Sequence, residues 1–317
     1  KTHLSSFPKG TVILSSRAPI GKVAIAGVEM FCNQGFKNLI CSEKIMNEYL
    51  YWFLKGKTKY LNSLGRGATF KELSAKIIGN IELEVPSIQE QKEVVIRLRK
   101  IDQIIGVFER EVELLDELIK ARFVEMFGNP VSNSKDLPVQ KMNNVAPICQ
   151  YDGSFEESVW LLNLDMVESQ TGRIINYNIV SKDEIGGSVC TFDENNVLYS
   201  KLRPYLNKVV VPDGKGYATS ELVPLRPDPK IINRIYLAYL LRSNEFVEMI
   251  KEKVAGAKMP RVSMSDFREF NIPVPPLELQ NQFASFVEEI DKSRSRIQKS
   301  LEASQELFDS LMQDYFG

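Results

Sequence analysis

Residues 88–127 read IQEQKEVVIRLRKIDQIIGVFEREVELLDELIKARFVEMF. Apolar side chains fall at Val94, Leu98, Ile101, Ile105, Phe108, Val112, Leu115 and Ile119, in alternating steps of four and three, and Arg122 and Met126 keep the rhythm. That alternation holds one stripe of a helix against one partner helix, with charged residues on the other faces. Gln89, Glu90 and Gln91 open the segment with good helix formers. Gly128-Asn129-Pro130 closes it, because glycine takes the left-handed turn that ends a helix and proline cannot continue one. The spacing predicts a spacer helix over 88–128, ~60 Å long at ~1.5 Å per residue.

The element occurs twice. Adding 189 to each seam position gives Phe283, Val287, Ile290, Arg294, Ile297, Leu301, Ser304, Phe308, Leu311 and Tyr315, with no gap from Pro86 and Pro275 to Gly128 and Gly317. The lead-in Val85-Pro86-Ser87-Ile88 answers Val274-Pro275-Pro276-Leu277, so a second helix is predicted over 277–317. A duplicated unit ending in a long helix is the frame of the chain. A pseudo-twofold between copies reverses one helix against the other, which predicts antiparallel pairing. With its centre near Phe108 and Ile297, Arg294 falls opposite Glu111, an ion pair that would hold the register.

Composition narrows the function. No run of eighteen apolar residues suggests a membrane span, and the chain reads as soluble and intracellular. Cys32, Cys41, Cys149 and Cys190 form no C-x-x-C pair and His3 stands alone, which leaves little for a metal site or a histidine-based catalyst. The net charge of −1 hides a partition. Residues 1–87 carry twelve basic and six acidic side chains (+6), 88–128 seven and nine (−2), 129–276 seventeen and eighteen (−1), and 277–317 four and eight (−4). The first globular block suits a polyanion, whereas the acidic helices suit protein.

Within each block the same order recurs. Thr11–Ser16 reads as a strand, Arg17-Ala18-Pro19-Ile20-Gly21 as a turn and Lys22–Ala26 as the returning strand; Asn196–Lys201, Leu202–Leu206 and Asn207–Val211 repeat it. A polar loop follows, Phe31-Cys32-Asn33-Gln34-Gly35-Phe36 in one copy and Tyr217-Ala218-Thr219-Ser220-Glu221-Leu222 in the other. Such side chains read base edges or cap turns. Amphipathic helices are predicted at about 45–60 and 232–254, their aromatic residues in the core. Then come two glycine-basic loops, Gly65-Arg66-Gly67-Ala68-Thr69-Phe70-Lys71 and Ala255-Gly256-Ala257-Lys258-Met259-Pro260-Arg261. Glycine permits close backbone approach to a phosphate, and the basic residues supply charge. A strand over Gly79–Val85 or Phe270–Val274 is expected to deliver the chain to the long helix. Lys1 aligns near residue 186, so about 57 leading residues of the second block have no counterpart in the first. The first globular domain is therefore expected to be incomplete at its N-terminus, with Lys1 not the natural start.

These residues together resemble the DNA-specificity subunit of type I restriction-modification systems. The resemblance rests on L-S-S-R-A-P-I-G-K at Leu14–Lys22, N-Q-G-F at Asn33–Phe36, V-P-x-I-x-E-Q at Val85–Gln91, the long helix, and the duplication of the whole. In the second copy Tyr199-Ser200-Lys201-Leu202-Arg203-Pro204 is related, whereas Thr219-Ser220-Glu221 replaces Asn-Gln-Gly. The resemblance implies an α+β fold: two α/β target-recognition domains, at 1–87 and 129–276, joined by two long antiparallel coiled-coil helices in a pseudo-twofold duplication. It implies a non-catalytic subunit whose two domains each read half of a bipartite site in double-stranded DNA. The helices would space the halves and dock two methyltransferase subunits, with restriction and translocase subunits joining the larger complex. S-adenosylmethionine, ATP and Mg²⁺ would belong to those partners, and the setting would be the prokaryotic cytoplasm. Candidate DNA contacts are Arg17, Lys22, Asn33, Gln34, Arg66, Thr69, Lys71, Lys201, Arg203, Lys208, Lys258 and Arg261.

Two rival readings compete with this one. Pro212-Asp213 and Asp228-Pro229-Lys230 match the loose P-D…D-x-K pattern of Mg²⁺-dependent nucleases, although both acids sit in good turn sequences. A methyltransferase lacks support: Val274-Pro275-Pro276-Leu277 has no Asn or Asp beside an aromatic residue, and no F-x-G-x-G loop occurs. A coiled-coil scaffold that binds only protein is the second rival.

Overall fold

The computed structural model describes residues 5–66, 71–254 and 259–317. In chain order, β1 (Val12–Ser15), β2 (Val23–Ile25), β3 (Phe36–Leu39), α1 (Asn47–Gly56), α2 (Thr58–Leu64) and α3 (Ala75–Gly79) lead to the long helix α4 (Ile88–Phe127). After it come β4 (Val139–Lys141), α5 (Met142–Val145), β5 (Ser158–Leu162), β6 (Ile179–Ser181), β7 (Val189–Phe192), β8 (Val197–Ser200), β9 (Val209–Val210), β10 (Gly216–Thr219) and β11 (Leu222–Leu225). The chain ends with α6 (Arg234–Arg242), α7 (Asn244–Glu252), α8 (Met264–Arg268), β12 (Asn271–Pro273) and the second long helix α9 (Leu277–Phe316). It divides into two compact units, 1–112 with 295–317, and 113–294.

In the first unit β1 is apolar from Val12 to Leu14 and buried on both faces through Ser15, as the central strand of an antiparallel sheet in the order β2-β1-β3. Val12 and Leu14 pack toward Tyr49, Trp52 and Phe53 of α1, Val94 and Leu98 of α4, and Phe308, Met312 and Phe316 of α9. Trp52 meets Phe308 edge to face at 5.7 Å and Tyr49 meets Phe316 at 5.1 Å. The start of α4 thus lies beside the end of α9, where Arg97 Nη1 donates to Tyr315 Oη at 3.1 Å.

The second unit repeats that scaffold and adds to it. Its sheet β9-β8-β11 has the order and antiparallel pairing of β2-β1-β3, and β8 is again buried throughout. A four-stranded sheet, β6-β5-β10-β7, packs on this scaffold: Trp160, Leu162, Phe192 and Ala218 share a core with Leu198, Val210 and Leu222. A larger core joins α6, α7 and α8 to Phe123 and Phe127 of α4 and Phe283 of α9, with both α4 rings 5.5 Å from Phe283. Here the end of α4 meets the start of α9, so the helices run antiparallel in each unit, as the repeat predicts.

The register differs from the expected one. Arg294 pairs with Asp116 at 2.5 Å, five positions along α4 from Glu111, and also with Asp291. Phe123 and Phe127 closing on Phe283 set this alignment, because burying large rings outweighs the choice between two carboxylates. The seam is also wider than a two-helix stripe. Val95, Phe123, Phe127, Ala284, Met312 and Phe316 are buried beside the seam residues, since each helix end packs against a globular core as well as its partner helix. Ile101, Phe108, Val112, Leu115, Ile290, Ile297, Leu301 and Leu311 stay partly open.

Two local expectations change. Residues 79–85 form no strand: Ser74 caps the short helix α3, its side chain accepting from Ile77 N–H at 3.2 Å, and the chain then runs to α4 without regular structure. The counterpart β12 is a strand because β4, just after α4, pairs with it; residues 81–85 have no such partner among the described residues. Each predicted amphipathic helix is two, α1 and α2 or α6 and α7, the last starting at a Ser243 cap that accepts from Phe246 N–H at 3.3 Å.

One side chain joins each domain to its own long helix. Gln91 is fully buried in the first turn of α4; its Nε2 donates to the Lys44 and Pro86 carbonyls at 2.9 Å, and its Oε1 accepts from Met46 N–H at 2.8 Å. Gln280 repeats the arrangement in α9. It is fully buried, donates to Ile231 O at 3.1 Å and Pro275 O at 2.7 Å, and accepts from Asn233 N–H at 2.8 Å.

Candidate nucleic-acid interface

The candidate residues of the first unit gather where three segments meet. Ser15 closes the hairpin turn: its Oγ donates to Pro19 O at 2.7 Å and accepts from Lys22 N–H at 2.9 Å. Ser16, also buried, reaches the polar loop, its N–H and Oγ both donating to Gly35 O at 2.8 and 3.1 Å. Its carbonyl accepts from Leu73 N–H at 2.9 Å, which ties in the glycine-basic loop. In the second unit Ser200 N–H donates to Lys208 O, Lys201 N–H to Glu221 O and Val262 N–H to Lys201 O, each at 3.0 Å. The two junctions are the same backbone device.

Around the first junction Arg17, Lys22, Asn33, Gln34, Arg66 and Lys71 are all exposed. Asn33 is partly engaged, its Oδ1 accepting from Gly35 N–H at 2.9 Å in a local turn. Arg66 pairs backbone to backbone with Glu72, at 2.9 and 3.2 Å. The Glu72 carboxylate lies 3.2 Å from Arg17 Nε and 3.7 Å from Lys37 Nζ, in a basic surrounding. Around the second junction Arg203 is exposed with a left-handed backbone (φ 48°), and its N–H donates to Pro260 O at 2.8 Å. Arg261 forms a fork on Glu221, with Nη2 at 2.8 Å and Nε at 3.1 Å; these hydrogen bonds, against the pull of burial, hold the Glu221 carboxyl below its usual range. Lys201 lies close enough to Glu221 to add to that effect. Lys208 is turned inward, its Nζ donating to Leu164 O at 2.6 Å, and burial lowers its pKa despite the opposing charge of Asp165. Thr69 and Lys258 lie outside the described residues.

Sequence reading missed three pairs of contributors. Ser15 and Ser16 look like ordinary strand residues, yet they tie the segments together. Glu72 and Glu221 hold the arginines, and the signal was there in Glu72, a lone acid among six basic residues between Lys55 and Lys76. Gln91 ends the quoted motif and Gln280 is its counterpart 189 residues on, but nothing in the spelling shows that they are buried.

The nuclease pattern does not assemble. Asp213 accepts from Tyr177 Oη at 3.1 Å, and Asp228 closes its own turn by accepting from Lys230 N–H at 2.9 Å. Among the described residues no group of three or more His, Cys, Asp or Glu side chains is placed to hold a metal ion, and no helix is long and apolar enough to cross a membrane.

Each copy of the duplicated scaffold thus presents a three-segment junction ringed by exposed basic and polar residues. The family described as type I restriction modification DNA specificity domain matches residues 1–115 and 165–305, and the chain belongs to that family. It is 26% identical over 336 residues to the MjaIX specificity subunit of a type I restriction enzyme from Methanocaldococcus jannaschii, covering 98% of this chain and 77% of the relative. The EcoDI specificity subunit from Escherichia coli is 25% identical over 293 residues, covering 81% of this chain and 65% of the relative. Among solved structures, the S subunit of a type I system from M. genitalium superposes with a TM-score of 0.57 at 17% identity, over 99% of this chain and 84% of that one. A second, from work on assembly and conformational transition of the type I R-M system, gives 0.59 at 17%, over 98% and 83%. These structures share the fold. Both relatives are specificity subunits of type I restriction enzymes.

Proposed function

We propose that the chain is the DNA-specificity subunit of a type I restriction-modification complex, each globular domain reading one half of a bipartite double-stranded site. The observation that carries this reading is the repetition of one three-segment junction, with exposed arginines around it, in both units. Phosphates would be held by Arg17, Arg66 and Lys71 in the first unit and by Arg203 and Arg261 in the second, with Asn33 and Gln34 next to base edges. Two weak readers on one chain raise each other's effective concentration, so the pair binds a split site far more tightly than either alone. The acidic outer faces of the long helices, with Glu109 and Glu111 on α4, repel phosphate and suit protein, here two methyltransferase subunits; Asp116 is not part of that face, since it pairs with Arg173 and Arg294. S-adenosylmethionine, ATP and Mg²⁺ would be carried by the methyltransferase and the restriction-translocase subunits. DNA binding titrated against salt, with and without a methyltransferase subunit, is the test. Steep salt dependence and sequence preference support the reading; binding to the protein partner with no affinity for DNA would leave a protein-only scaffold.

A further inference from the structure

The second unit holds a cleft of about 450 Å³ lined by none of the candidate DNA-contact residues. It lies between the C-terminal part of α4, the N-terminal part of α9, the loop 170–174 and the junction of α6 with α7. That volume falls in the range of small-ligand sites. Phe123, Val211, Ile235 and the ring of Tyr239 form an apolar interior, with charged groups around it. Lys120, Arg173, Arg242 and Arg294 outnumber Asp116, Asp291 and Glu245 among the lining residues, and Glu168, just outside them, also pairs with Arg173.

Of the three guanidiniums, Arg242 is the one without an ion pair among the described residues. Arg173 and Arg294 both pair with Asp116, and Arg294 also with Asp291, so these guanidiniums are neutralised inside the protein. Arg242 has no carboxylate within ion-pair distance among the described residues. Its Nε and Nη2 both donate to the Val209 carbonyl, at 3.1 and 2.6 Å, and its guanidinium lies 5.2 Å from the Tyr239 ring centre. Nη1 is left without an acceptor among the described residues. A partly buried guanidinium hydrogen-bonded to one carbonyl, with Asp291 and Asp116 acting on it only from beyond ion-pair distance, keeps an unmet demand for an anion.

The backbone beside it is built to keep it there. Gly172 has φ +69°, and a Cβ at that position would lie 1.7 Å from Val209 O and 2.5 Å from Arg242 Nη2. Only glycine lets the loop close over the Val209 carbonyl and the arginine together. On the same wall α7 begins at Asn244, and the first N–H groups of that nine-residue helix add positive potential.

We propose that this cleft binds a small organic carboxylate with a flat apolar body, its carboxylate on Arg242 and its body between Tyr239, Phe123 and Val211. The guanidinium fork matches a planar carboxylate, and the apolar walls exclude a bare inorganic ion as the best occupant. Binding would tie α4, α6, α9 and the loop 170–174 together within the unit, independently of any DNA contact.

The test uses the full chain with benzoate as the probe, benzyl alcohol as its neutral counterpart and benzamidine as its cationic one, read by calorimetry and saturation-transfer NMR. Benzoate should bind saturably and raise the unfolding temperature, with benzyl alcohol weaker by about tenfold or more, as loss of a charge-assisted hydrogen bond requires. Benzamidine should not bind. Arg242→Met should weaken benzoate by a similar factor, and Val124→Trp, an exposed position at the cleft, should block it by filling the space. If Arg242→Met does not fold, the tryptophan variant decides alone. Absence of saturable benzoate binding, equal binding of benzyl alcohol, or full binding by Val124→Trp would overturn the proposal.

Discussion

Replacing Gln280 with methionine keeps the length and most of the volume of the side chain but removes all of its hydrogen bonding. The Ile231 and Pro275 carbonyls then lose their donor and Asn233 N–H its acceptor, all at a fully buried position. An unsatisfied buried polar group costs about 1–3 kcal/mol. Three of them, with some relief from adjustment of the loop, predict a loss of about 3–5 kcal/mol. Gln280→Glu should be worse, because a carboxylate keeps the acceptor for Asn233 but turns its oxygens on two carbonyls and buries a charge. The two tryptophans make the readout local, Trp160 reporting on the second unit and Trp52 on the first. In a Trp52→Phe background, urea unfolding followed by Trp160 fluorescence should shift to lower denaturant for Gln280→Met. The shift for Gln91→Met should appear in a Trp160→Phe background. A loss under about 1 kcal/mol, or a glutamate variant milder than the methionine one, would refute the view that this side chain is the joint between domain and helix.

Gly172→Ala should destabilise the second unit by more than about 2 kcal/mol, since left-handed strain of ~1–2 kcal/mol adds to the overlap with Val209 O; thermal unfolding measures it. Burial alone would raise the Asp193 pKa, but Asn195 N–H at 2.9 Å, Arg226 at 2.7 Å and the Asn195 amide together hold it below the ordinary value. A depressed folded value means its stabilisation is complete above the unfolded carboxylate range near pH ~4 and fades as pH falls through the lower folded value. Asp193→Asn should therefore be less stable at neutral pH, with the gap to wild type closing in acid; a pH-independent gap would contradict this. Reversing the charges of Arg66 and Lys71 should weaken DNA binding and reduce the slope of log affinity against log salt by ~0.9 for each phosphate that the variant no longer neutralises. An unchanged slope would put the DNA elsewhere. Exchanging residues 129–276 for the matching block of a relative, in a complex with the methyltransferase and with a complete first domain, should change one half of the methylated sequence and leave the other half and the spacer intact, as methylome sequencing would read. A change in both halves would defeat the two-reader reading.

Much of the frame could be read from the letters because periodicity and repetition are local properties. Val94, Leu98 and Ile105 or Phe283 and Val287 announce a helix seam without knowledge of the partner, and the 189-residue offset announces a second copy. What escaped depended on distant partners. Whether 79–85 becomes a strand turns on a pairing segment such as β4, and whether Arg294 meets Glu111 or Asp116 turns on rings packing at the helix end. The site shows the same division. Arg17, Arg66 and Arg203 were legible as exposed basic residues at turns, while the inward turn of Lys208 follows from a carbonyl at Leu164, 44 positions away.

The ion pairs at the two junctions are mirror-written. In the first copy the acid is on the glycine-basic loop, Glu72, and the cations Arg17 and Lys37 are on the hairpin and the strand after the polar loop; in the second the loop carries Arg261 and the polar loop carries Glu221. Glu72 and Arg261 occupy equivalent places, 189 residues apart. A crossover that traded only this loop between the halves would bring arginine against Arg17 and Lys37 at one end and glutamate against Glu221 at the other. Each copy thus carries its charges as a matched set, and an exchange that moves the hairpin, polar loop and basic loop together keeps both pairs intact.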